Sequence, residues 1–387
     1  MAWAAPSALR CGSPRTCKGG VALAAMRRVP LLIVPLACVC ALLMALVLGL
    51  APGLPRGAQI AYVQAQSGRS HIFLLDLRSG AHHRLTSEEA LHTPVWTTDG
   101  AGLVYESNRG NNISLFMLDL HLAGSVERQL TFYSSDEVDA LIAPGFDPAV
   151  PRLLYTSART PNGDLYLLDV PPPGVNRWPE RVTENESAEY APTFSPDGTW
   201  VAYVATRRGN IDLFARDLLT GAEHRLTDHA AIDSSPAWSP DGRWLAFHSL
   251  RDDNYELYLL PMDSFETAIP TALRVTDHPS EDRDAVWSPD GRRLAFLSNR
   301  DGNINIYVVE VAEVGAGMLP QIHPLTDHPA LDREPAWSPD SRRIAFVSYR
   351  DGYAQVYSAP VPRSSKAPRP YRLTSAALDS YTPVWRP

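Results

Sequence analysis

The sequence predicts an all-β protein, a closed ring of seven four-stranded blades, preceded by one apolar helix. Three observations predict the ring. A unit recurs every 44 to 50 residues around aromatic anchors at Trp96, Phe146, Phe194, Trp238, Trp287, Trp337 and Trp385, a spacing typical of propeller blades. Segments between the turns of each unit, such as Leu294-Ala295-Phe296-Leu297 and Ile306-Tyr307-Val308-Val309, are apolar on both faces, as in sheets covered on both sides. Finally, Thr382 to Pro387 open a unit whose remainder stands at Ile60 to Thr86. The last strand therefore completes the first blade, and the expected architecture is a seven-bladed β-propeller closed by its C-terminal strand.

In chain order, residues 1–28 read as a cytoplasmic basic tail, 29–52 as a transmembrane signal-anchor helix, 53–57 as a short linker and 58–387 as the propeller. Val29 to Pro52 carries no charge and is long enough to cross a hydrocarbon core of roughly 30 Å. Arg10, Arg15, Lys18, Arg27 and Arg28 precede it without an acidic residue, which places the N-terminus in the cytoplasm and the propeller outside. A cleaved signal peptide, with secretion, is the alternative; its apolar region is usually about 7 to 15 residues. Leu36-Ala37-Cys38 faintly resembles a lipoprotein cleavage site, and Met26-Arg27-Arg28 would open a complete export signal by itself.

Within the ring the unit at Trp238 is the cleanest. Ser239-Pro240-Asp241-Gly242 places Ser, Pro and Gly where a type I turn prefers them, joining strand one to strand two. In the next unit Arg300-Asp301-Gly302-Asn303 centres on Asp-Gly, a hairpin pair for strands two and three. Leu-Thr pairs close the units, and the anchor tryptophans are expected to pack between neighbouring blades. The third unit, from Phe146 to Thr183, departs most from the pattern, with Phe146-Asp147-Pro148 in place of the usual turn and an insertion at Pro171-Pro172-Pro173.

The series Trp-Ser-Pro-Asp-Gly, Leu-Ala-Phe, Arg-Asp-Gly and Leu-Thr resembles the TolB-like and WD40-like (PD40-type) propeller repeats over residues 58 to 387. The resemblance implies the fold and leaves function open, because such folds host unrelated activities. TolB-type proteins place an α/β domain before six blades. Seven blades are expected here without that domain, so the architecture carries over and the role in the Tol system does not.

All 43 acidic residues follow the apolar segment together with 30 of the 35 basic ones, a net −13 outside the membrane. Nucleic acid is an unfavourable partner for such a surface. Cys11, Cys17, Cys38 and Cys40 all precede the propeller, so the propeller is expected to hold by packing and closure without disulfides. The sequence contains no Gly-x-Ser-x-Gly elbow and no zinc helix, phosphate-loop or dinucleotide signature. No cofactor or metal is expected. His229, His278 and His328 recur after the outermost strand, where successive blades diverge; they read as surface turns capped by Asp228, Asp277 and Asp327.

The candidate site is the channel mouth, where connections between blades meet the hairpins joining strands two and three. Five residues before the anchors stand Glu189, Asp233, Asp282 and Asp332, and the hairpins offer Arg109, Arg159, Arg208, Arg251, Arg300 and Arg350. A ring of structural salt bridges and a ligand-binding charge ring are both compatible with that pattern. One residue nearer the anchor, His92, Tyr190, Ser234, Arg283, Arg333 and Tyr381 differ where their neighbours agree. The site is therefore placed at His92, Glu189, Tyr190, Asp233, Asp282, Arg283, Asp332, Arg333 and Tyr381. The expected function is non-catalytic binding of a protein, peptide or glycan by a membrane-anchored, extracytoplasmic propeller. A propeller enzyme of the polysaccharide lyase or hydrolase type, with or without a metal, and a structural module of an envelope complex are the alternatives.

Overall fold

The computed structural model describes residues 58–387 apart from 67, 92–93, 121–125, 146–149, 171, 173, 176, 315–319 and 376–377. Seven four-stranded antiparallel sheets follow one another around the ring. Blade I combines the C-terminal strand Ser380–Trp385 with Gln59–Gln66, Arg69–Asp76 and Ala81–Arg84. Ile60 pairs with Trp385 and Gln64 with Ser380, so the expected closure is present. Blades II to VII begin with the inner strands Val95–Trp96, Glu137–Ile142, Glu189–Phe194, Asp233–Trp238, Asp282–Trp287 and Asp332–Trp337.

The repeat residues account for the blade. Ser239 Oγ donates to Asp241 and accepts from the Trp244 amide, while the Gly242 amide closes onto the Ser239 carbonyl. Gly242 has φ 72°, a conformation that glycine adopts without steric cost. The closing threonine completes the outer edge: Thr86, Thr131, Thr183, Thr227, Thr276, Thr326 and Thr374 each accept a third-strand amide at 2.9 to 3.0 Å. One side chain thereby extends the strand pairing beyond the last backbone bond.

Packing lies between blades. Ile306 and Val308 of blade VI meet Trp337, Ile344 and Phe346 of blade VII, and Ala345 and Val356 of blade VII meet Ile60, Tyr62 and Trp385 of blade I. The indole N–H groups of Trp96, Trp287, Trp337 and Trp385 donate to the carbonyls of Val384, Ala237, Val286 and Ala336, each on the inner strand of the preceding blade. The closing interface thus carries the same bond as the joins I/II, V/VI and VI/VII.

The third blade requires a correction. Its inner strand is Glu137–Ile142, with Glu137 opposite Ser157 and Ile142 opposite Leu153, as Asp233 faces Ser249 and Trp238 faces Leu245 in blade V. Ile142 occupies the anchor position; Phe146 lies outside the described residues. Among the described residues no helix is long and apolar enough to cross a membrane. The basic tail, the apolar stretch 29–52 and the linker lie outside them.

Candidate functional site at the channel mouth

The four predicted carboxylates are buried and paired. Asp233 meets Arg251 at 2.9 Å, Asp282 meets Arg300 at 2.7 Å, Asp332 meets Arg350 at 3.1 Å and Glu189 meets Arg207 at 3.2 Å, with every carboxylate side chain fully sealed from solvent. The arginines are fixed twice more. Arg251, Arg300 and Arg350 donate from Nε to Ser249, Ser298 and Ser348. Their guanidinium groups also lie 4.6 to 4.7 Å from the rings of Tyr258, Tyr307 and Tyr357. This geometry suits an arginine fork over an aromatic face. Burial raises the Asp332 pKa while Arg350 and its hydrogen bonds oppose it. The arrangement holds the connection between blades to the hairpin beside it.

Three details differ from the sequence reading. Glu137 supplies the blade III acid, bound by Arg159 at 3.3 Å. In blade IV Arg207, not Arg208, makes the bridge, because Arg207 and Asn210 are paired and only Arg208 and Gly209 turn, at φ 53° and 79°. Two positive angles are what a two-residue hairpin of this kind requires. In blade II Arg109 turns instead to Glu127 of the outer strand at 2.9 Å.

The next position along these inner strands is less buried. Tyr190, Arg283, Arg333 and Tyr381 are partly exposed; His92 lies outside the described residues. The following residue, Asp139, Ala191, Ser235, Asp284, Glu334 or Thr382, has φ between 46° and 56°, and the register slips there in six blades. Such a bulge re-aims side chains. It places Asp284 against His248, with the Asp284 amide 3.4 Å from His248 Nδ1 and the carboxylate 3.9 Å away. Burial lowers the His248 pKa, and Tyr255 packs edge-on at 4.9 Å. In the adjoining sector Arg333 donates to Tyr349 at 2.7 Å and pairs with Glu334 at 3.2 Å, while Glu334 accepts the Thr382 amide at 2.7 Å. Burial pushes the Tyr381 pKa up to about 12. The sequence reading missed Asp284, Glu334 and His248; the non-repeating character of their positions was the available signal.

The recurrent histidines hold turns. His229, His278 and His328 each accept at Nδ1 from an amide two residues on, at 3.1 Å. Each turn is therefore capped by the histidine itself, not by the preceding aspartate. Among the described residues no three His, Cys, Asp or Glu side chains converge as a metal site.

A second surface lies on the flank of blades II and III. Phe132 is 71% exposed and Trp178 83% exposed, and with Val126, Tyr133 and Val175 they line a groove of about 610 Å³. Apolar patches of this kind mark interaction surfaces.

Comparison with known proteins agrees with this architecture. The profile of the TolB beta propeller domain (PD40) matches residues 127–271, 234–322 and 267–387. The Protein TolB homolog of Chlorobium luteolum is 28% identical over 43% of this chain, and the matched stretch spans only 35% of that relative. In structure, TolB from Acinetobacter baumannii superposes with a TM-score of 0.55 at 19% identity, covering 93% of this chain and 74% of the other. Oligogalacturonate lyase from Vibrio parahaemolyticus gives 0.62 at 15% identity, covering 79% and 87%. At these identities the structural likenesses establish fold alone.

Proposed function

The chain belongs to the TolB beta propeller domain family, and on that premise we propose that it is a membrane-anchored, extracytoplasmic propeller that binds a protein, peptide or glycan at its channel mouth without chemistry of its own. The observation that carries this reading is the contrast between adjacent positions of the inner strands. Glu189, Asp233, Asp282, Asp332 and Ser380 are sealed, whereas Tyr190, Ser234, Arg283, Arg333 and Tyr381 beside them are partly exposed and varied. Tyrosine and arginine are enriched at interface hot spots. The uncharged stretch 29–52, preceded only by basic residues, supports the anchor.

Chemical crosslinking in intact cells tests the reading. A constant protein partner is expected with the wild-type chain and should be lost with Arg283→Ala/Arg333→Ala/Tyr381→Ala. A partner that survives this variant but is lost with Phe132→Ser/Trp178→Ser would move the docking face to the flank of blades II and III. The second reading, an enzyme of the lyase or hydrolase type, is favoured by His248 beside Asp284 at the mouth. Stoichiometric binding of a divalent metal, abolished by His248→Gln, would select it.

A further inference from the structure

On the face opposite the channel mouth, a cleft of about 990 Å³ separates the turn of blade VI from the turn and outer loop of blade VII. Six cations line it: Arg293, Arg342, Arg343, Arg363, Lys366 and Arg369, against the acids Asp290 and Asp340. This concentration of positive charge sits on a propeller-bearing portion whose net charge is −13.

Arg343 is the central group. It is 4% exposed, yet among the described residues its guanidinium bonds only Ser358, from Nε to Oγ at 3.1 Å and from Nη2 to the carbonyl at 3.2 Å. Its equivalent in blade VI, Arg293, pairs with Asp290 at 3.1 Å and approaches Glu310 at 3.6 Å. The strand position facing Arg293 is Glu310, whereas the position facing Arg343 is Pro360. The acid facing it across the strands is thus replaced by a residue without charge, and among the described residues no carboxylate is bonded to the buried guanidinium, on which Asp340 acts only through its charge. Burying a cation in this way is unfavourable unless an anion arrives; desolvation correspondingly lowers the Arg343 pKa. Among the described residues Arg342, Arg363, Lys366 and Arg369 form no ion pair either.

The position of the cleft points to the anion. Ala58, the first described residue, precedes the second strand of blade I, so the chain enters the ring on the same face as the turns that form the cleft. Blade I adjoins blade VII, with Trp385 Nε1 donating to Ala336 at 3.0 Å. Residues 53–57 alone separate Ala58 from the apolar stretch 29–52. Even fully extended they reach only about 17 Å. If that stretch is embedded, this face lies against the membrane surface, where clustered basic residues meet anionic headgroups.

We infer that the cleft between blades VI and VII is a site for the phosphate of anionic phospholipids, with Arg343 as its buried anchor and Arg363, Lys366 and Arg369 as its outer clamp. The inference rests on the membrane-anchored reading for the choice of lipid over free phosphate. Dihexanoylphosphatidylglycerol, dihexanoylphosphatidylcholine and inorganic phosphate would each be titrated calorimetrically into the full chain in neutral detergent. The expected result is saturable binding of phosphatidylglycerol, at least tenfold weaker binding of phosphatidylcholine, and at least a tenfold loss for phosphatidylglycerol in Arg363→Gln/Lys366→Gln/Arg369→Gln. These three residues stand on an exposed loop, so the variant should keep the wild-type unfolding temperature; Arg343→Met then reads the buried cation separately and should lose affinity as well. Equal binding of the two lipids, or unchanged affinity in the loop variant, would overturn the site. Inorganic phosphate binding without phosphatidylglycerol binding would overturn the lipid assignment. Alkaline carbonate extraction of cell membranes tests the anchor independently: release of the wild-type chain sinks that reading, and the micelle titration judges the cleft on its own.

Discussion

Arg300 meets Asp282 at 2.7 Å with the carboxylate fully buried, so removing the cation leaves a charge with nowhere to go. Arg300→Gln is expected to cost about 3–5 kcal/mol of unfolding free energy in urea. Asp282→Asn/Arg300→Gln should cost clearly less than that single change, because it removes the stranded charge together with its partner; equal losses would mean that the pair is not coupled. His248 supplies a pH-dependent test. Burial holds its folded pKa below the unfolded value of about 6.5, so the folded state binds fewer protons and stability falls as pH drops through that value. Asp284, Asp233 and Glu281 oppose the shift, and Arg283 adds to it. His248→Gln should flatten the decline in urea midpoint between about pH 7 and 5, and an unchanged slope would assign it to other groups.

The blade is where the sequence spoke most clearly, since each of its turns uses side chains that bond to backbone within a few residues. Ser239, Asp241 and Gly242 form one turn, and the Leu-Thr pair ends each outer strand because its threonine accepts a third-strand amide. Thr276→Val therefore strands the Leu257 amide and is expected to cost about 1–3 kcal/mol in thermal unfolding, whereas Thr276→Ser should retain most of the stability. A Val variant as stable as wild type beside a destabilised Ser variant would show that the methyl group and not the hydroxyl is the contribution. Less legible were features set by neighbouring strands. Ile142 was hidden as an anchor because its blade lacks the usual turn, and Phe146 offered the expected ring a few residues late. Arg207 replaced Arg208 because a shorter hairpin shifted the register. The inner-strand bulges left no residue signature at all: Asp139, Ala191, Ser235, Asp284, Glu334 and Thr382 share a backbone angle and almost no chemistry. The side chains that meet at these connections, such as His248 and Asp284, depend on bulge geometry that the residues do not spell out.

At the scale of the whole ring, the join between blades VII and I repeats the indole-to-carbonyl bond of the joins I/II, V/VI and VI/VII, but its tryptophan must also pair with Ile60 at the far end of the described chain. Trp385 donates to Ala336 as Trp337 donates to Val286, and both indoles are almost fully buried. Trp385→Ala and Trp337→Ala should therefore lose similar amounts of equilibrium stability, about 3–5 kcal/mol each. Their kinetics should differ. Bringing Trp385 beside Ile60 closes nearly the whole chain into one loop, a contact whose entropy is spent only after the intervening blades have formed. Contacts made after the transition state change unfolding rates and leave folding rates almost untouched. Trp385→Ala should thus accelerate unfolding with little change in refolding, and Trp337→Ala, within the sequential run of blades, should slow refolding as well. Stopped-flow folding in urea reads both limbs. A loss of refolding rate in Trp385→Ala equal to that of Trp337→Ala would place ring closure early, as part of the folding nucleus.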